Sequence, residues 1–171
     1  MNSIGGSNIV NFQPFSGTVT EINDFPTTPN DSDGGCYQLF SVENRRGDMV
    51  NFVVAPDTYF VDHRIVRVGD RVTGFYDADA PVPLIFPPQY AAIVMAKDAP
   101  GQNVKVDFFN RQLLSSDGDL RLNIAPETRI LLENGQIFNR NPANRYLIVV
   151  YAATTRSIPA QTTPSQIIVM C

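Results

Sequence analysis

Few side chains in this sequence could carry out catalysis. It has one histidine, His63, and two cysteines, Cys36 and the last residue, Cys171. Nucleophilic hydrolysis needs a serine or cysteine beside a base and an orienting acid. His63 follows Asp62 in a segment predicted to connect two strands, where we expect a solvated loop histidine. The sequence contains no nucleophile elbow, phosphate loop or dinucleotide fingerprint, so we predict that the protein is not an enzyme.

Metal ligands are equally sparse. A zinc site uses four histidine or cysteine ligands, more than one histidine and two distant cysteines supply. Residues 30–33 and 77–79 are rich in oxygen ligands, but neither segment has the 12-residue order of a calcium loop with its closing glutamate. Turn chemistry explains both segments, with weak calcium binding as the alternative. We therefore expect neither a metal nor a cofactor.

The two cysteines are too few for a secreted disulfide scaffold and predict free thiols in a reducing compartment. Cys171 has an alternative role, since a thiol on a mobile end could cross-link two subunits under oxidation. The start of the chain lacks the pattern of a signal peptide, and no apolar run approaches the roughly 18–20 residues of a membrane helix. We expect a cytoplasmic protein without a membrane partner, with surface or spore association as a further option.

The net charge of −4 and the pI near 4.8 disfavour a general polyanion binder. Residues 1–97 carry 6 basic and 11 acidic side chains, whereas residues 98–171 carry 7 and 6. Single-stranded nucleic acid would need exposed aromatic rings interleaved with cations. Core packing explains most of the candidates, so nucleic acid is not the expected partner. The candidates are Tyr37, Phe75, Tyr76, Phe108, Phe109, Tyr146 and Tyr151.

Four short pieces of sequence occur twice, in the same order, which indicates an internal duplication. Residues 38–41, 47–48, 55–58 and 93–95 match residues 112–115, 118–119, 125–128 and 168–170. Apolar side chains alternate along the copies, which is typical of half-buried strands. The alternation predicts five strands in each copy. They are residues 16–22, 37–43, 49–54, 71–76 and 91–96, then 103–109, 112–115, 120–124, 146–151 and 166–170.

Five strands with a long connection between the third and fourth resemble the OB-fold, a small Greek-key barrel. We therefore predict an all-β protein with little helix, built as two tandem OB-like five-stranded barrels. A generic small barrel or sandwich is the alternative, because neither long connection contains a convincing capping helix. The predicted organisation is an N-terminal arm at residues 1–14, a first barrel at 15–97 and a second at 103–171.

The segment from Gly69 to Asp77, followed by Pro87-Pro88-Gln89-Tyr90, resembles a family of uncharacterised proteins from spore-forming Firmicutes. The resemblance is clearest over residues 15–96. No activity is assigned to that family, so the resemblance implies no catalytic residue.

Two segments outside the repeated strands are apolar enough to contact a partner. The first is the proline-rich stretch at residues 80–90, which either folds over a barrel mouth or between the two copies, or forms an exposed apolar contact for a partner. The second is the N-terminal arm, which either caps its own barrel or adds a strand to a neighbouring subunit. The predicted contact residues are Ile9, Val10, Phe12, Leu84, Ile85, Phe86 and Tyr90.

These features predict a non-enzymatic structural or assembly module. Its sheet edges, N-terminal arm and proline-rich stretch would contact proteins, with self-association as an option. The alternative is a ligand-binding module that takes single-stranded nucleic acid or a glycan on an OB-type face.

Overall fold

The computed structural model describes residues 9–26 and 34–171. Strands dominate these residues, and the helical content of the described chain is one 3-10 turn at Val61–His63. The predicted all-β class with little helix is therefore confirmed. The chain divides into two compact units. The first is Asn11–Asp98, and the second is Ala99–Cys171 together with Ile9 and Val10.

The first unit contains one seven-stranded sheet with the order β4-β7-β5-β1-β2-β3-β6. Neighbouring strands are antiparallel except for β3–β6 and β4–β7, which are short parallel pairs. The strands are β1 (Phe12–Asp24), β2 (Gln38–Glu43), β3 (Met49–Val54), β4 (Tyr59–Phe60), β5 (Arg71–Asp77), β6 (Gln89–Ala91) and β7 (Val94–Lys97).

Strand β1 is longer than the sequence pattern predicts. Its first half pairs with β5 from Phe12 onward, and its second half pairs with β2. Residues 12–14, which we assigned to the N-terminal arm, are thus part of the sheet. The pattern misses them because Pro14 lacks a backbone N–H and usually argues against a strand interior. At Gly17, a Cβ atom would lie 2.5 Å from the carbonyl oxygen of Glu43, so this close approach of β1 to β2 requires glycine.

The second unit contains a four-stranded sheet of order β10-β13-β11-β8 and a two-stranded sheet of β12 and β9. The pairs β8–β11 and β11–β13 are antiparallel, whereas β10–β13 and β9–β12 are parallel. The strands are β8 (Asn103–Phe109), β9 (Leu120–Leu122), β10 (Arg129–Leu132), β11 (Arg145–Tyr151), β12 (Ala160–Thr162) and β13 (Gln166–Val169).

The strands are not divided as predicted, into five for each copy. In the part of the chain that the structure describes, the first unit has seven strands and the second has six, because short strands add parallel pairs of the kind that stack successive coils in a β-solenoid. The predicted strand at residues 112–115 is reduced to isolated bridges. Leu113 has a φ of 59°, a left-handed conformation that interrupts an extended strand. The assignment of two five-stranded barrels is therefore not established.

Each unit has its own apolar core, and the two cores differ in the sizes of one pair of facing residues. In the first unit, Phe52 fills the space over Gly74, where a Cβ atom would lie 2.6 Å from Phe52 Cζ. The strand pairing places Leu122 and Val149 at the corresponding positions of the second unit. A large residue over glycine in one unit thus corresponds to two medium residues in the other.

A buried threonine makes the same hydrogen bonds in both units. Thr58 Oγ1 accepts from Ala55 N at 3.0 Å and donates to the carbonyl oxygen of Ala92 at 2.8 Å. Thr128 Oγ1 accepts from Ala125 N at 3.2 Å and donates to the carbonyl oxygen of Pro164 at 2.8 Å. The repeated Ala-Pro-Asp/Glu-Thr sequence is therefore a fixed corner that ties one loop to the last strands of its unit.

These bonds correct one part of the sequence alignment. They match position 92 with position 164, a separation of 72, so residues 93–95 correspond to residues 165–167. The alignment with residues 168–170 is wrong by three positions. The similarity of Ile-Val-Met at the two places misleads because buried strands draw on the same few apolar residues.

Candidate functional site

The proline-rich stretch lies between β5 and β6, and we define the Pro-rich loop as residues 78–88. Its apolar side chains face solvent: Leu84, Ile85 and Phe86 are all exposed, with Phe86 at 87%. The tip of this stretch is thus exposed, and its contact with a partner stays a prediction. A contiguous group of large apolar side chains in solvent is a typical mark of an interaction site.

The base of the Pro-rich loop is fixed by two tyrosines. Tyr76, at the end of β5, stacks on Tyr90 of β6 with 3.9 Å between ring centroids and 12° between planes. Both rings pack against the core of the first unit. Burial raises the pKa of Tyr76, and the adjacent Tyr90 raises it further. Tyr90, a predicted contact residue, is half-buried between Tyr76 and the core, at the base of the loop.

Acidic side chains hold the start of the Pro-rich loop. Asp77 Oδ1 accepts hydrogen bonds from the backbone N–H groups of Asn11 and Asp79, at 3.2 and 3.0 Å. The side-chain amide of Asn11 also donates a hydrogen bond to Asp79 Oδ1 at 3.5 Å. At the far end, the backbone N–H of Asn51 donates to the carbonyl oxygen of Pro88 at 2.8 Å. Because both ends are anchored, the apolar tip is presented by a supported base.

The second unit has a loop at the same place, which we call the Arg156 loop and define as residues 152–159. Gln89 pairs with Asn51, and Gln161 pairs with Arg121, so positions 89 and 161 correspond. Phe86-Pro87 therefore corresponds to Ile158-Pro159. Ile158 is 99% exposed. In the sequence, Phe86-Pro87 and Ile158-Pro159 align only at a separation of 72 residues. The polar residues around Ile158 make this alignment hard to recognise.

Hydrogen bonds between residues on either side of Ile158 hold the Arg156 loop. Thr155 and Gln161 exchange two bonds, from Thr155 N to the Gln161 carbonyl oxygen and from Gln161 N to Thr155 Oγ1, both 2.9 Å. Ser157 Oγ lies 2.7 Å from Thr155 Oγ1 and donates to the carbonyl oxygen of Pro159 at 2.8 Å. Phe86 and Ile158 are thus exposed apolar residues that precede a proline at corresponding positions of the two units.

The predicted contact residues of the N-terminal arm lie in different environments. Ile9 is 82% exposed, and the rest of the arm before it is outside the described residues. Val10 is half-buried, and its backbone N–H donates to the hydroxyl of Tyr146 at 2.9 Å. Phe12 is buried in β1, where its pairing partner is Asp77. Phe12 is therefore a core residue in this structure, and Ile9 is the exposed member of the group.

Both cysteines, Cys36 and Cys171, are exposed free thiols. His63 is also exposed, with its ring edge against Tyr59 at 5.8 Å between centroids. Within residues 9–26 and 34–171, no three histidine, cysteine or acidic side chains come together as a metal site requires. In the same part of the chain, no helix is long and apolar enough to cross a membrane.

The aromatic side chains considered for nucleic acid are largely in the core. Phe75, Phe109 and Tyr146 are buried and cannot stack on bases in this conformation. The second unit instead has an open polar groove of about 450 Å³ beside the Arg156 loop. Its lining carries hydroxyl and amide groups and no charge. The lining residues are Asn123, Ala153, Thr154, Thr155, Gln161, Thr162 and Thr163.

No protein-family model matches the chain, and comparisons with curated proteins and with solved structures likewise find no match. The resemblance to proteins of spore-forming Firmicutes therefore stays a prediction, and the chemistry of the exposed loops is the basis for a functional proposal.

Proposed function

We propose that this protein is a non-enzymatic assembly module that contacts proteins through its exposed apolar loops. The observation that carries the proposal is the exposed tip of the Pro-rich loop, Leu84, Ile85 and Phe86. Burying such side chains against a partner releases about 1.5–3 kcal/mol for each one that becomes fully covered. Ile9 and the sheet edges supply additional apolar and backbone contacts.

The anchored base of the loop also supports a binding role. The stacked tyrosines and the bonds to Asn11 and Asn51 limit the conformations of the loop before it binds. Less conformational entropy is then lost when the tip meets a partner. A loop without such support would pay more to become ordered.

For the fold, we propose an OB-like barrel in the first unit. Two features of the strand pairing favour it. Strand β1 pairs with β5 along its first half and with β2 along its second half. Strands β6 and β7 are separated by two residues, yet they pair with β3 and β5, which belong to different parts of the sheet. An almost continuous β6–β7 segment would thereby close the sheet on itself, as OB-folds do.

Light scattering with negative-stain microscopy on the full chain tests the assembly role. We expect the average mass of the wild-type protein to rise with concentration. Removing the apolar tip in the variant L84S/I85S/F86S should abolish that rise. The variant V68S removes another exposed apolar side chain of the same unit and should behave as wild type. A wild-type protein that stays a monodisperse monomer at every concentration would refute the proposal.

The N-terminal arm is tested by truncation. Deletion of residues 1–14 would remove Phe12, Gln13 and Pro14 from β1 and would damage the fold. Deletion of residues 1–8 leaves every described strand intact and is the appropriate variant. If the arm takes part in assembly, this truncation should weaken association while the melting temperature stays unchanged.

The alternative function, ligand binding, is favoured by the polar groove of the second unit. The hydroxyl and amide groups that line this groove, such as those of Thr155 and Gln161, both donate and accept hydrogen bonds, as the hydroxyl groups of a sugar require. Calorimetric titration with neutral oligosaccharides and with labelled oligonucleotides tests this. Binding lost in N123A but kept in N141A would support it, and no binding to either ligand class at low salt would exclude both.

A further inference from the structure

The Pro-rich loop and the Arg156 loop occupy corresponding places in the two units but carry opposite charges. Asp77, the last residue of β5, precedes the Pro-rich loop, and Asp79 is the one charged residue within it. Arg156 is the one charged residue of the Arg156 loop. Both loops also present a large apolar side chain at the matching position, Phe86 and Ile158, at 87% and 99% exposure.

We propose that the protein self-associates head to tail, with the Pro-rich loop of one copy against the Arg156 loop of the next. The inference rests on the proposed assembly function and identifies the partner as a second copy of this chain. Among residues 9–26 and 34–171, no side chain covers Phe86 or Ile158, so both are available to a neighbour. Packing them together buries apolar surface on both sides of the contact.

Charge favours contact between the two unlike loops over contact between two like loops. Contact between two Pro-rich loops would place Asp77 and Asp79 against the same acidic groups, and contact between two Arg156 loops would oppose two arginines. Like charges across an interface cost free energy and exclude wrong pairings. The unlike pair brings Arg156 to Asp79, which is also exposed.

The two units also carry opposite net charges, as their loops do. Residues 11–98 carry 6 basic and 12 acidic side chains, for a net charge of −6, and residues 99–171 carry 7 and 5, for a net charge of +2. Long-range attraction between unlike units therefore favours the same orientation as the loops. A contact between two different surfaces closes into a two-fold dimer when both loops of each copy engage the other copy, and otherwise repeats along open chains or closes into a ring.

Sedimentation velocity on the full chain, over a series of concentrations, tests the pairing. We expect I158S to weaken self-association as F86S does, and R156E to weaken it by roughly tenfold or more. D79K should also weaken it. The double variant D79K/R156E restores opposite charges and should associate more tightly than R156E alone. R129E makes the same charge change at an exposed arginine outside the loop, so it lowers the net charge of the second unit equally and should weaken association less than R156E does.

The outcomes separate this inference from the assembly function. If the wild-type chain associates and F86S does not, but I158S and R156E behave as wild type, the head-to-tail pairing is wrong and the assembly function stands. A double variant no better than R156E also refutes the pairing. If the wild-type chain remains monomeric, both proposals are wrong. Melting temperatures of all variants, unchanged from wild type, ensure that the losses do not arise from unfolding.

Discussion

At Gly74, the core of the first unit has no room for a side chain. An added methyl group would lie 2.6 Å from Phe52 Cζ, so the ring or the strand would have to move. We expect G74A to lower the free energy of unfolding by about 1–3 kcal/mol, the usual cost of overpacking. Urea unfolding of the full chain measures this. Shortening the ring in G74A/F52L should cost less than the sum of the single changes, and strict additivity would contradict the proposed clash.

Thr58 and Thr128 allow the buried threonine corner to be tested twice in one molecule. Replacing either threonine by valine keeps the shape but leaves the Ala55 or Ala125 N–H without its acceptor. We expect T58V and T128V each to cost about 1–3 kcal/mol of stability. T58S and T128S retain the hydroxyl and serve as matched controls. Thermal unfolding in which the valine and serine variants lose equal stability would contradict the role of the hydroxyl.

Asp117 makes the stability of the second unit depend on acid pH. Burial raises the pKa of Asp117, but hydrogen bonds from Lys105 Nζ and Ser115 Oγ lower it, and the net result is a pKa below the usual 3.8. The folded pKa is thus below the unfolded one. The stabilisation is complete above the unfolded pKa and is lost as the pH falls through the folded value. D117N should unfold with a weaker pH dependence below pH 5, whereas D119N, whose carboxylate is not held by Lys105, should follow wild type.

At the scale of the element, the Pro-rich loop depends on its tyrosine base. Y90A removes the ring that stacks on Tyr76 and should increase hydrogen exchange and proteolysis across residues 78–88. Y90F keeps the stacked ring and should leave both properties close to wild type. If Y90A and wild type exchange at the same rate in this loop, the base does not hold the loop.

The strands show which elements the sequence predicts and which it does not. Strands β3 and β5 were predicted to within one residue, because their apolar residues alternate and one face is buried. Strands β4, β6 and β12 have two or three residues each. They exist through parallel pairing with distant strands, so no local pattern marks them. The correspondence of Phe86 with Ile158 is missed because the sequence around Ile158 is polar, and the pairing register of β6 and β12 establishes it.

At the scale of the whole molecule, the two units share a framework and differ in surface. The threonine corner and the pairing of the late strands are alike, whereas net charge and loop composition differ. The sequence shows the difference in charge and the apolar composition of the proline-rich stretch. The exposure of that stretch depends on how the whole unit folds, so only the structure shows it. This combination of similar framework and opposite loop charges is the basis for directional self-association.

Photo-cross-linking from the loop tip tests the central claim most directly. Leu84 would be replaced by benzoylphenylalanine, which keeps the position apolar, and Asp57, an exposed residue on another loop, would carry the same probe as a control. Our account predicts covalent dimers from position 84, with the cross-link mapped by mass spectrometry to residues 152–159 of the second copy, and few from position 57. Equal yields from both positions, or none from position 84, would contradict the claim that the Pro-rich loop is the contact surface.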